Sequence, residues 1–242
     1  MLKIKKLNWD TDFFGFGIAH LEETDEKIES LNGLEDFNKS NNIKLVQSLV
    51  DIKNIQFIEL LENSGFHYVD TRVDFVIDLK KLNSTSYFEI ALINDIPEIL
   101  YIADKLFMDS RFFHPIFSEK KANELFKLWA AKAVKGEFDD ICLKSSDNTT
   151  SEVNGFVTIK FINKTEARIG LIGVSKNHLG KGIGTKLINS AISFLKEKEF
   201  EKLYIATQGK NLGAINLYIK SGFKIKSLHN WFYKNFDTFY QQ

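Results

Sequence analysis

Between Ala167 and Lys198 an apolar strand ends at Gly173-Val174, a short turn follows, and Gly180-Lys181-Gly182-Ile183-Gly184-Thr185 opens an amphipathic helix. Ile183, Leu187, Ile188, Ala191 and Leu195 recur at helical spacing, so one side of that helix must pack on other structure. Three alternating glycines let the main chain approach a phosphate. The N–H groups at the start of the helix add hydrogen bonds and the favourable end of the helix dipole. The same glycines would also serve as a plain tight turn packing helix on strand. A dinucleotide-binding turn would need a parallel strand-helix-strand unit and an acidic residue about twenty positions on. Glu199 and Glu201 stand nearby, but the strands before the turn read as hairpin-linked. A Walker loop would need Gly-Lys-Ser/Thr after a longer spacing, and it is absent.

The rest of the chain alternates short elements. Asp12 to Leu21 reads as a strand, Glu26 to Lys39 as an amphipathic helix, Ile43 to Val50 as a strand, and a helix then runs to Asn63. Phe66 to Leu79 reads as one or two further strands. The polar stretch Lys80 to Ser86 marks a boundary, giving domains over 1–85 and 86–242. Beyond it come a strand at Phe88 to Leu92, a helix from the Asp95 cap to about Met108, and another over Ser118 to Val134. Three antiparallel strands follow at Ile141 to Lys144, Gly155 to Ile162 and Ala167 to Val174. After the glycine turn and its helix, Lys202 to Thr207 is a strand, Asn211 to Lys220 a helix, and Phe223 to Phe236 the final strands. Ser64-Gly65-Phe66 and Ser221-Gly222-Phe223 each close a helix before strands. Either this is a good helix stop used twice, or the first half is a degenerate partial copy of the second.

Composition narrows the function classes. With 44% hydrophobic positions in 242 residues, the chain can bury a core as one large domain or two small ones. Basic and acidic residues balance at 32 each, so no overall field draws it to nucleic acid or acidic lipid. The single cysteine, Cys142, reads as a buried small residue. The five histidines are scattered without metal-ligand spacing. No signal peptide or membrane-spanning run is legible, so a cytoplasmic protein is expected.

Asn211 opens its helix and Tyr218 stands seven residues later on the same face, so both could reach one ligand. Taken singly, Asn211 is an ordinary cap and Tyr218 ordinary packing. With the glycine turn they form a pattern that resembles the GCN5-related N-acetyltransferase (GNAT) superfamily, over about Phe88 to Phe236. The family signature, Gln/Arg-x-x-Gly-x-Gly/Ala, stands here as Leu179-Gly180-Lys181-Gly182-Ile183-Gly184. Leu179 is the departure. Ala167-Arg168-Ile169-Gly170-Leu171, Ala206-Thr207-Gln208, Trp231-Phe232-Tyr233, Ser110-Arg111-Phe112 and Gly136-Glu137-Phe138-Asp139 are similar to the branch that acetylates dTDP-linked 4-amino-4,6-dideoxygalactose. So is the opening Leu7-Asn8-Trp9-Asp10-Thr11-Asp12-Phe13-Phe14-Gly15.

The resemblance implies an α/β (α+β) fold, a mixed central sheet flanked by helices, with a smaller amino-terminal domain like a partial GNAT fold. It implies acetyl-CoA as co-substrate and no metal. Ile172, Gly173 and Val174 would hold the pantetheine arm, residues Leu179 to Thr185 the pyrophosphate, and Asn211 and Ala214 the rest of the cofactor site. Tyr218 would be the general acid. Arg111, His114 and Trp129 would line the site of a nucleotide-linked amino sugar, with Glu166 and His229 as possible helpers to a base. Another amine acceptor (a protein amino terminus, a polyamine or a drug) and a non-catalytic acyl-CoA-binding module are the alternatives. Carboxy-terminal edge strands would suit a homodimer.

Overall fold

Ten strands form one mixed sheet in the computed structural model, which describes residues 2–24, 26, 28–82, 86–104, 106–108, 110–147 and 149–236. The first half runs β1 (Ile4–Lys6), α1 (Asn8–Phe14), β2 (Gly17–Leu21), α2 (Leu34–Asn41), β3 (Ile43–Asp51), α3 (Ile55–Asn63) and β4 (His67–Asp78). The second runs β5 (Glu89–Ile90), α4 (Ile96–Ala103), α5 (Glu119–Val134), β6 (Ile141–Ser146), β7 (Val153–Phe161), β8 (Glu166–Val174), α6 (Ile183–Glu197), β9 (Lys202–Gln208), α7 (Leu212–Lys220) and β10 (Lys224–Asn235). Asn83 to Thr85, inside the expected boundary, lie outside the described residues.

The strand order is β1-β2-β3-β10-β4-β9-β8-β7-β6-β5. The last strand of each half is exchanged: β10 pairs antiparallel with both β3 and β4, and β4 pairs antiparallel with β9. Swapping the halves reproduces the order from β1 to β7, so an approximate twofold relation passes between β4 and β10. The sheet edges are therefore β1 and β5. The expectation of carboxy-terminal edge strands was wrong, because β10 is sealed on both sides by strands more than 140 residues earlier in the chain.

Alternation along the strands separates two faces. On one, Val73, Phe75 and Ile77 of β4 and Leu203 and Ile205 of β9 meet α6 and α7, and Val46, Val50 and Phe232 meet α2 and α3. On the other, Phe156 and Leu171 pack under α4 and α5, and Leu45 and Tyr233 pack under α1 and the Arg111–Phe113 turn. Deleting a core side chain such as Phe75 or Leu61, both fully enclosed, would cost about 2–5 kcal/mol.

Local corrections have local causes. Asp12 to Phe14 belong to helix α1, whose Trp9 and Phe13 stack at 5.1 Å and whose Phe14 packs on Phe117 at 4.6 Å. These tertiary contacts override the strand-like pattern. Asp95 precedes α4 but does not cap it with its side chain; its carboxylate accepts from the Leu92 amide and pairs with Lys144 at 2.8 Å. Strand β5 has only two residues, and α2 begins at Leu34 rather than Glu26.

Candidate active site

The turn before α6 is shaped as its glycines allow. Gly180 and Gly182 have φ of 75° and 79°, in the left-handed region, and Gly182 is the residue before the first helical turn. The amides of Gly180, Gly182, Ile183, Gly184 and Thr185 donate to no described residue, so five N–H groups at a largely exposed helix start are left for a ligand. The third glycine acts differently, in packing: a Cβ on Gly184 would stand 3.0 Å from Leu217, so it serves the contact of α6 with α7. Leu179 is 61% exposed at the lip of the turn and offers it no polar group.

Beneath this turn the sheet opens. Strands β8 and β9 are parallel but pair at only three positions, Glu166 with Lys202, Ala167 with Leu203 and Arg168 with Tyr204. Beyond Arg168, β8 stays with β7 to Val174 while β9 stays with β4 to Gln208. The two strands thus leave a wedge bounded by Ile172 and Val174 on one side and Ala206 on the other. A register shift in β8 at Gly170-Leu171 marks where the wedge begins. Here the Leu171 amide donates to Thr158 Oγ1 (2.8 Å), and that hydroxyl donates to Asp139 Oδ2 (2.6 Å). A Cβ on Gly170 would collide with the Asp139 carboxylate, and one on Gly173 would meet Leu106 and Phe156.

Tyr218 closes the wedge from the α7 side. It is 3% exposed, edge-on to Phe75 of β4 at 5.5 Å, and its hydroxyl bonds to no described residue. Burial pushes the phenol well above the ordinary tyrosine range, so it keeps its proton at any physiological pH. Asn211 caps α7, with Oδ1 accepting from the Ala214 amide at 3.0 Å. That bond leaves the Asn211 Nδ2 available and commits the Ala214 amide, which cannot itself serve a ligand.

The opposite face carries a trough. Tyr204, Ala206 and Gln208 of β9 and Arg72, Asp74 and Val76 of β4 form its floor, all partly exposed. One wall is Trp129, which donates from Nε1 to Asp139 Oδ2 at 2.8 Å and lies under Arg168. Asp139 is fully buried, and Arg168 stands 3.5 Å from its second oxygen. The other wall is Arg111, whose guanidinium sits 4.1 Å over Phe112 and 3.9 Å over Trp231. Its Nη1 donates to Gln47 and to the Tyr233 hydroxyl, both at 2.6 Å. No described carboxylate pairs with Arg111 at contact distance. Around it, burial raises Asp10 and lowers His20 and His114, favouring the neutral form of all three beside the Arg111 charge.

Residues 105–223 match the acetyltransferase (GNAT) family. The dTDP-fucosamine acetyltransferase of Escherichia coli O6:H1 is 28% identical over 96% of this chain and 97% of its own length. Residues 105–223 carry a GNAT acetyltransferase domain. Streptothricin acetyltransferase A of Bacillus subtilis is 27% identical over 54% of the chain and 72% of its own length. The GCN5-related N-acetyltransferase of Sphaerobacter thermophilus superposes with a TM-score of 0.64 at 13% identity, over 96% of this chain and 76% of that one. A tandem GNAT protein of clavulanic acid biosynthesis gives 0.62 at 12% identity, over 91% and 76%. Members of the family use acetyl-CoA.

In this GNAT enzyme the residues expected around the co-substrate stand at the turn, the wedge and the start of α7. The acceptor residues divide. Trp129 sits by the β8 bulge, whereas Arg111 and His114 sit across the trough, His114 edge-on to Tyr233 at 5.4 Å. Helix α1 links the two walls through Trp9, which reaches Phe138 beside Trp129. Glu166 is held by Tyr204 and Asn163 at the closed end of β8, far from the wedge, and cannot help a base there. Sequence pattern gives no role to Asp139, Thr158 or Gln47. Asp139 stands in a motif that carries the resemblance, but its burial and its link to the bulge come only from folding. Among the described residues no cluster suits a metal, and no helix is long and apolar enough to cross a membrane.

Proposed function

We propose that this acetyltransferase transfers acetyl from acetyl-CoA to the 4-amine of a nucleotide-linked 4-amino-4,6-dideoxy sugar of the dTDP-fucosamine kind, for surface-polysaccharide synthesis. The observation that carries the reading is the wedge, which leads from five unpaired amides on one face to a trough on the other. The near full-length similarity to a dTDP-fucosamine acetyltransferase supports the choice of acceptor.

The residues fit the co-substrate. Free amides of Gly180 and Gly182 to Thr185 suit a pyrophosphate, with Lys181 exposed beside them. The edge of β8 at Ile172 to Val174, which β9 leaves unpaired, suits the amides of a pantetheine arm and can polarise the thioester carbonyl. Asn211 Nδ2 lies at the same mouth. Tyr218 would protonate the departing thiolate, a role that suits a phenol held neutral. On the trough side, Trp129 would flank the sugar and Arg111 would meet the diphosphate. Arg111 lies over β10, two strand spacings or about 10 Å from the β9 edge of the wedge, a span that a hexose and its diphosphate cover. Residues 86–242 would be the catalytic unit, and 1–85 would complete the acceptor wall through Gln47 and Trp9.

The test is CoA release from acetyl-CoA against dTDP- and UDP-linked 4-amino-4,6-dideoxy sugars, a lysine peptide, a polyamine and a streptothricin. Turnover confined to a nucleotide sugar supports the reading. Silence across the panel with acetyl-CoA still bound would sink it in favour of a binding module.

A further inference from the structure

On the floor of the trough, His229 of β10 and Asp74 of β4 form a hydrogen-bonded pair, Nδ1 to Oδ2 at 3.1 Å. The carboxylate's other oxygen is gripped by Arg72, through Nε at 2.8 Å and Nη2 at 2.7 Å. Asp74 is therefore fixed from behind, and it orients the imidazole in turn: with Nδ1 turned to a carboxylate, Nε2 is the nitrogen left facing the trough. No described residue bonds Nε2.

The placement of this pair matters more than its geometry. Asp74 and Phe75 are neighbours on β4 and project to opposite faces. Phe75 supports Tyr218 on the helix face, while Asp74 holds His229 on the trough face. Both residues are paired with β9, at Ala206 and Ile205, on the rim of the wedge. An acyl group threaded through the wedge would therefore have a proton donor on one side of the sheet and a proton acceptor on the other.

Resting on the proposed function, we infer that His229 is the general base of the transfer, positioned by Asp74 and Arg72. The acceptor binds as an ammonium, and His229 Nε2 takes one proton from it, directly or through one water, leaving the electron pair on nitrogen. That pair forms the bond to the acetyl carbon. As the C–S bond breaks, the thiolate takes the Tyr218 proton, and the second proton lost from nitrogen balances it. His229 returns the first proton to solvent, so the sum is ammonium plus thioester giving amide, thiol and one proton. The charged groups around the ring are Asp74 and Arg72 on β4 and Asp51, its partner in register on β3. On the far side of Trp231 stand His20 and Arg111.

The experiment is the pH profile of kcat/KM for wild type, His229→Gln and Asp74→Asn, with the nucleotide sugar that wild type turns over. His229→Gln should lose about 10²-fold near pH 6.5. The deficit should shrink steadily toward pH 9, because there the free amine is already neutral and needs no base. Asp74→Asn should show the same pH pattern with a smaller loss, and acetyl-CoA affinity should not change in either. A loss of equal size at every pH would assign His229 a packing role, and no loss would remove it from the site; either overturns the inference while leaving the proposed function intact. A wild type silent toward every acceptor overturns both.

Discussion

The two halves of this sheet are built alike and closed differently. In each, a strand, a helix, a second strand, a second helix and a third strand follow in the same spatial order: β2 to β4 in one, β8 to β10 in the other. Both first helices begin after a left-handed glycine, Gly33 at 90° and Gly182 at 79°. Both second helices are capped by asparagine, Asn54 and Asn211, and stopped by Ser-Gly-Phe with Gly65 and Gly222 at positive φ. The parallel strands differ. Five-residue β2 is paired with β3 from Gly17 to His20, so nothing opens. Nine-residue β8 is paired with β9 at three positions, and the rest of that edge is left unpaired by β9.

Side chains finish the contrast. Glu23 accepts from the Asp51 amide and from Asn54 Nδ2, filling the mouth of the first half, while Asn211 Nδ2 has no described partner. Seven residues after each capping asparagine stand Leu61 and Tyr218, both buried. A repeated scaffold thus carries a site only where its strands part and where a polar group faces the gap.

The halves should diverge most at the equivalent Leu61 and Tyr218. Tyr218→Phe should lower kcat by about 10²–10³-fold with acetyl-CoA affinity nearly unchanged, measured by single-turnover CoA release and calorimetry. Leu61→Ala should instead cost about 2–5 kcal/mol of stability in urea unfolding, with kcat retained in the folded fraction. Equal catalytic losses at the two positions would erase the distinction. Next come the glycines. Gly182→Ala and Gly33→Ala should each cost about 1 kcal/mol for a left-handed Cβ, but only Gly182→Ala should weaken acetyl-CoA, by about tenfold. The smallest difference between the halves is expected at the caps. Asn54→Ala should destabilise by more than the ~1 kcal/mol of a lost cap, because its Nδ2 also holds Glu23; Asn211→Ala should lose only the cap and some affinity.

Much of this was legible in the sequence because it depends on neighbours along the chain. The glycine turn, the asparagine caps, the Ser-Gly-Phe stops and the amphipathic α6 are local chemistry. The exchange of β4 and β10 was not, since periodicity says which residues of a strand face inward but not which strand lies beside it. Helix α1 was hidden for the same reason: Phe14, Phe16 and Ile18 alternate like strand residues, yet Phe13 and Phe14 become helical against Trp9, Phe112 and Phe117. The trough was legible only as separate residues named through the resemblance, Arg111, Trp129 and His229; its assembly was not, because Asp74, Asp139, Gln47 and His229 meet their partners across strands distant in sequence.

Whether the second half alone holds a site is decided by the stoichiometry of acetyl-CoA binding, measured by calorimetry on wild type, Gly182→Val and Gly33→Val. One site per chain, abolished by Gly182→Val and kept by Gly33→Val, is the predicted result. Two sites per chain, or one that survives Gly182→Val and disappears with Gly33→Val, would contradict the claim that only the parted strands of the second half form the site.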